Sequence, residues 1–276
     1  MKAIPIDAAL LADFPLPPLD EDGDKEDRGR VLIIGGSRTV PGAAILAGVA
    51  SLRTGAGKLQ IVTDPAVAIS IAVSVPEARV TDASPLDHLA EAQVAVFGCG
   101  MDPGPKLEAF VQSVLGSGAS TPLILDAAVL GCLAGVADAV RAWPAGVALL
   151  PHASEMARLL ECAPDTVERD PAQAARLAAD RYQAVALVKG GHSFLAAPDG
   201  RLFRLEGGGV GLATSGSGDV LAGLCGGLVA RGADVLTAML WAVWLHAEAG
   251  RLLTARVGRV GFLARELAEL VPALLE

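Results

Sequence analysis

The chain has 276 residues, 52% hydrophobic and only 4% aromatic, with a formal net charge of -9 and an isoelectric point near 5.0. That balance supplies a sizeable core and argues against general affinity for nucleic acid or an anionic membrane surface. It leaves room for a small anionic ligand, because backbone N–H groups can form a positive pocket on an acidic protein.

Residues 1–28 are acidic and punctuated by proline, which does not suit a signal peptide. They are read as a leader with a helix packing on a single domain over 29–276. The mean hydropathy is +0.48, yet apolar runs such as "VLTAMLWAVWL" stop well short of a membrane span. Cys99, Cys132, Cys162 and Cys225 are far apart and form no C-x-x-C pair, as expected of reduced structural thiols in a soluble cytoplasmic protein. His88, His152, His192 and His246 show no metal-ligand spacing, so no metal ligand is assigned.

From residue 31 onward, short apolar runs alternate with Ala/Leu-rich stretches. "VLII" is read as a buried strand, and 42–55 as a helix ending at glycine. "KLQIVT", "VAVF", "LILD", "VALL" and "AVALVKG" are strands, with helices such as "LEAFVQSVL" and "PAQAARLAADRY" between them. Continuous apolar strands between helices indicate a mainly parallel sheet covered on both faces, a three-layer α/β/α domain. "SFLAAPDGRLFRLE" carries a Pro-Asp-Gly turn between two runs and reads as a hairpin. The last third reads as helices over 219–231, 234–250 and 260–275.

In open α/β sheets, ligands bind outside the carboxyl ends of the strands. Those ends here are rich in small or polar residues: "GGS" from Gly35, "GCG" from Gly98, "LDAA" with Asp126, "LPHASE" and "VKGGHS". No phosphate-binding P-loop, nucleophile elbow or Rossmann glycine pattern is present.

"SGSGD" is the strongest local signal. Its small residues let a phosphate oxygen approach the N–H groups of Gly216, Ser217 and Gly218 at a helix N-terminus. Asp219 then stands where it could take a proton from a hydroxyl attacking that phosphate. The competing reading makes Asp219 a helix cap among glycines required by packing. Lys189 of "VKGGHS" could reach a nucleotide phosphate or be merely solvated, and His152 reads more readily as a cap. "GGSRTVPGAA" would let a ligand approach Ala43, or simply pack helix on strand.

In order, "GGSRTVPGAA", "GCGMD", "LDAAVL", "LPHASEM", "KGGHS", "ATSGSGDVLAG" and "WLHAEAG" resemble the motifs of the ADP/ATP-dependent NAD(P)H-hydrate dehydratase family of the ribokinase-like superfamily. The resemblance runs from about Gly29 to the C-terminus. It implies a ribokinase-like fold and repair of nicotinamide cofactors to which water has added. The repair would proceed by phosphorylation of the ring hydroxyl and elimination of phosphate.

By the same resemblance Asp219 is the base, and Gly216, Ser217 and Gly218 are the anion hole. Lys189, Gly190, Gly191, His192, Ser193 and Gly218 would bind ADP or ATP with Mg²⁺. Ala43, Gly100, His152 and Asp219 would line the site for the hydrate (NADHX or NADPHX). The chain departs from the family pattern where Ala128 replaces a second carboxylate and Ala153-Ser154 replace Pro-Gly. Two alternatives stay open: a small-molecule kinase of the same superfamily, and an inactive adenine-nucleotide-binding protein. Apolar helices and few aromatics permit a homo-oligomer.

Overall fold

Each apolar run that the sequence places between helices becomes a strand of one sheet. The computed structural model describes residues 2–20, 22–82 and 84–276. Its strands are β1 (Ile4–Pro5), β2 (Arg30–Ile34), β3 (Lys58–Val62), β4 (Ala78–Thr81), β5 (Val94–Phe97), β6 (Leu123–Leu125), β7 (Val147–Leu149), β8 (Val185–Val188), β9 (His192–Ala196) and β10 (Leu202–Glu206). They form a 10-stranded sheet in the order β1-β10-β9-β8-β7-β6-β5-β2-β3-β4. All neighbours are parallel except β9, which runs antiparallel to β8 and β10.

Alternate side chains of each strand enter different cores. Val31 and Ile33 join the core beneath the C-terminal helices. Leu32 and Ile34 join the core on the opposite face. The three-layer α/β/α architecture is the one expected. The expected hairpin is present as β9 and β10, with Gly200 at φ +90° in its turn.

The edges were not legible in the sequence. The β4 residues are half-buried or exposed rather than an apolar run, and β1 has only two residues. The β1 pair lies parallel to β10, and the Ile6 N–H donates to the Arg204 carbonyl at 2.8 Å. The helix Ala8–Ala12 follows and buries Leu11. Trp241 Nε1 then ties this segment down by donating to the Phe14 carbonyl at 2.8 Å.

The C-terminal helices are Ser217–Ala230, Val235–Arg256 and Ala264–Leu274. The second passes Gly250, where a glycine suggested an end. A Cβ at Gly250 would lie 2.8 Å from Leu212 Cδ2, so the glycine serves close packing instead. The third begins later than expected, at Ala264, after the cap residue Leu263, whose N–H donates to Glu266 at 2.6 Å. Among the described residues no helix is long and apolar enough to cross a membrane.

One contact sets the position of the helix Ser217–Ala230. Its glycines lie on the Ala-rich helix Pro41–Arg53, and Ser51 Oγ donates to the Gly223 carbonyl at 3.0 Å. A Cβ at Gly223 would stand 2.1 Å from the Ala47 carbonyl oxygen. That neighbour is backbone and cannot yield cheaply. Gly223→Ala is therefore expected to cost about 3 kcal/mol or more and to lower the thermal midpoint by several degrees. An unchanged melting curve would contradict this packing.

Candidate active site

The carboxyl ends of the central strands are stitched into one rim by backbone hydrogen bonds. Gly36 N–H donates to the Cys99 carbonyl at 2.8 Å, Asp126 N–H to Phe97 at 3.1 Å, and Lys189 N–H to Pro151 at 2.9 Å. Glycine is required where the loops cross. A Cβ at Gly98 would sit 2.0 Å from the Asp126 carbonyl oxygen, at a φ of +123°. Ala127 holds φ +53°, left-handed for a residue with a Cβ. Such strain persists only where the surroundings enforce it, and here it follows directly on Asp126.

Asp126 is 2% exposed. Its Oδ1 accepts a hydrogen bond from Lys189 Nζ at 2.8 Å. Burial opposes the charge on Lys189, but the Asp126 carboxylate outweighs it and holds the ammonium above its ordinary pKa. Gly218 lies directly on this pair: a Cβ there would be 3.3 Å from Lys189 Nζ and 3.5 Å from Asp126 Oδ2.

Asp219 completes the group. Burial, and next the charge of Asp126, push its pKa up to about 6, while the Cys99 thiol and Lys189 hold it down. A carboxyl at that value is ionised at neutral pH and basic enough to accept a proton. The Cys99 thiol is pushed well above its ordinary range by burial and by the Asp219 and Asp126 charges, so it stays protonated.

Asp219 is not the cap of its helix. The helix begins at Ser217, with Gly216 as the N-cap residue at φ +89° and Asp219 in the first turn. Ser217 also differs from expectation. Its N–H donates to the Thr214 carbonyl at 3.2 Å, and its Oγ lies 2.9 Å from His246 Nε2. Its backbone donor is thus already engaged inside the protein, and its hydroxyl lies against His246. Between Ser217 and Val220, the N–H groups of Gly218 and Asp219 have no backbone acceptor among the described residues. They are the available anion donors of this turn. His246 is pushed down to about 4 by burial, so it supports Ser217 as a neutral imidazole.

Gly190, Gly191 and His192 are exposed on the turn into β9, open to a ligand beside Lys189. Ser193 Oγ donates to the Gly190 carbonyl at 3.5 Å. On the other side of Asp219, Gly100 packs on Ala43, and a Cβ at Gly100 would lie 2.7 Å from that of Ala43. Ala43 is only 4% exposed, so Gly100 is the more open of the two. His152 is separate from them: it bridges to Lys189 and caps the helix Ala153–Leu159 in a reciprocal pair with Glu155. The residues expected around the hydrate therefore divide between the two flanks of Asp219.

The NAD(P)H-hydrate dehydratase family model matches residues 31–273. The chain belongs to the NAD(P)H-hydrate dehydratase family. An ADP-dependent (S)-NAD(P)H-hydrate dehydratase of Xanthomonas campestris pv. campestris is 44% identical over 98% of this chain and 96% of its own. The crystal structure of the ADP/ATP-dependent NAD(P)H-hydrate dehydratase from Bacillus subtilis, co-crystallized with ATP/Mg²⁺, has a TM-score of 0.88. It is 29% identical, with both chains fully covered. A hydroxyethylthiazole kinase from Pyrococcus horikoshii shares the fold at a TM-score of 0.62 and 14% identity, over 90% of this chain and 89% of its own.

Sequence reasoning had missed part of the buried cluster. Asp126 and Cys99 lay in motifs that were singled out, but neither was given a role. The signal for Asp126 was a carboxylate ending the apolar run "LILD". A charge in that place needs a buried partner, which Lys189 supplies from 63 residues away.

Proposed function

We propose that this chain catalyses nucleotide-dependent dehydration of NADH hydrate or NADPH hydrate back to the reduced cofactor. The carrying observation is the half-buried Asp219 carboxylate, with a pKa of about 6, beside Lys189 and the free N–H groups of a helix N-terminus. The 44% identity with a dehydratase over nearly the full chain supports the same reading. The kinase alternative is not favoured, since the thiazole kinase shares the fold at only 14% identity.

In the proposed mechanism Asp219 takes the proton of the ring hydroxyl as its oxygen attacks the terminal phosphorus of ADP or ATP. The bond to the leaving AMP or ADP breaks, while Lys189 and the Gly218 and Asp219 N–H groups balance charge on the transferred phosphoryl group. The ring C–O bond then breaks with its electron pair leaving on phosphate. The adjacent carbon gives its proton to the departing phosphate, and the ring double bond is restored. The exposed turn from Lys189 to Ser193 would hold the nucleotide, and Gly100 the hydrate.

Mg²⁺ would neutralise charge on the phosphate oxygens. Among the described residues, no group of three or more His, Cys, Asp or Glu side chains could hold a metal. That suits an ion held by phosphates and water with one or two carboxylates. Asp126 Oδ2, the oxygen that does not take the Lys189 bond, fits that role, and Ala128 adds no second carboxylate.

The test is incubation with NADH hydrate, Mg²⁺ and either nucleotide, following NADH absorbance and free phosphate. Equal release of both supports the proposal. A stable phosphate ester with no NADH would replace it by the kinase reading.

Gly218→Val offers a second check. The added side chain meets the tips of Lys189 and Asp126, which can shift, so the protein should fold. Turnover should fall at least tenfold, because the methyl groups occupy the space of the phosphate. Near-normal turnover would count against a phosphate site at this turn.

A further inference from the structure

A cleft of about 350 Å³ opens at the ends of β2, β3 and β4, on the side of Asp219 away from Lys189. It is distinct from the buried cluster but shares a wall with it. Gly36, in its lining, donates to the Cys99 carbonyl at 2.8 Å, and Ser37 donates to the Gly100 carbonyl at 2.7 Å. Half-buried Met101 and Phe110 form an apolar side, and Phe110 is braced edge-on by Phe97 at 5.2 Å.

The lining also carries three carboxylates, of Asp64, Asp82 and Asp102. Asp102 already accepts from Ser37 Oγ and Thr39 Oγ1, both at 3.2 Å. Asp64 commits one oxygen to the Ala66 N–H at 2.8 Å and has the other to spare. Among the described lining residues there is no Lys, Arg or His. A neutral diol can therefore be bound here by carboxylate oxygens, whereas a phosphate would meet negative charge with no cation to offset it.

Resting on the proposed repair reaction, we infer that this cleft receives the adenosine end of the dinucleotide hydrate, with Asp64 and Asp82 facing the ribose hydroxyls and disfavouring a 2′-phosphate. The placement follows from the sheet. The co-substrate nucleotide takes the Lys189–Ser193 flank, and the reacting ring must lie at Asp219. The remainder of a dinucleotide then has only the β2-β3-β4 flank to occupy. From β5 to β4 is three strand spacings, about 14 Å, a span a dinucleotide can bridge. A carboxylate accepting from a ribose 2′-hydroxyl is a known means of selecting the unphosphorylated cofactor.

The experiment measures kcat/KM for NADH hydrate and NADPH hydrate, in the unaltered protein and in the double variant Asp64→Asn with Asp82→Asn. Both residues lie at the rim, so the variant should fold. The unaltered protein is expected to favour NADH hydrate by about tenfold, the scale of repulsion between a phosphate and partly solvated carboxylates. The double variant should lose most of that ratio, chiefly by a lower KM for NADPH hydrate. Equal use of the two hydrates by the unaltered protein, or a ratio unmoved in the variant, would overturn the assignment alone. Turnover of neither hydrate would instead overturn the repair reading on which it rests.

Discussion

Replacing Asp219 by Asn is expected to cut turnover steeply and, at neutral pH, to make the protein more stable. The two effects have one origin. Burial and the nearby Asp126 charge raise the Asp219 pKa to about 6, so the folded protein holds an ionised carboxylate there at a cost. A raised carboxyl contributes its full stability only below its unfolded pKa and loses it as pH rises through the folded value. At pH 7.5 the charged group therefore weakens the fold by roughly 1–3 kcal/mol. Asn removes that penalty with little change of shape. Below about pH 4 both states carry the protonated acid, and the advantage of the variant should vanish.

Turnover should fall on the order of a hundredfold or more, the scale of a lost general base. In the unaltered enzyme it should decline as pH falls through about 6. Thermal midpoints at pH 4 and pH 7.5, with turnover on the same preparation, check both claims. Full activity in a folded variant would end the proposed mechanism. Helix capping offers no escape, because Gly216 is the N-cap residue and Asp219 stands in the first turn.

The sequence was most legible where local chemistry and tertiary position agree. "VAVF" is β5 over its full length because every residue of it is buried. "SGSGD" could be placed at a helix N-terminus because glycines and a carboxylate there are locally intelligible. Legibility ended where distant strands meet. Nothing adjacent to Asp126 announces Lys189, and nothing near Ser217 announces His246. Both partners arrive through strand order and helix packing. The same limit explains Ser217: as a small residue between glycines it suggested an open donor, and only the fold shows both its groups turned inward.

Lys189 and Asp126 form the second informative pair, because their removal should move the enzyme in opposite directions. Lys189 lowers the Asp219 pKa and Asp126 raises it. Lys189→Met leaves two neighbouring carboxylates without their cation, so the acid limb of the pH–rate profile should move above 6. Asp126→Asn should move it below 6.

Breaking a buried ion pair from either side costs up to about 3–5 kcal/mol. For Lys189→Met, that loss should be larger at pH 8 than at pH 5. Acid allows one of the two carboxylates to take a proton, and a raised folded pKa stabilises only on its acid side. Denaturant unfolding at the two pH values reads the difference.

The double variant Lys189→Met with Asp126→Asn separates structure from chemistry. With both charges gone, much of the lost stability should return. Activity should not, if Lys189 is the cation that faces the transferred phosphoryl group. Recovery of turnover along with stability would mean that the pair only holds the strand ends together. Recovery of stability alone would leave the pair its place in the chemistry, Lys189 facing the phosphate or Asp126 holding Mg²⁺.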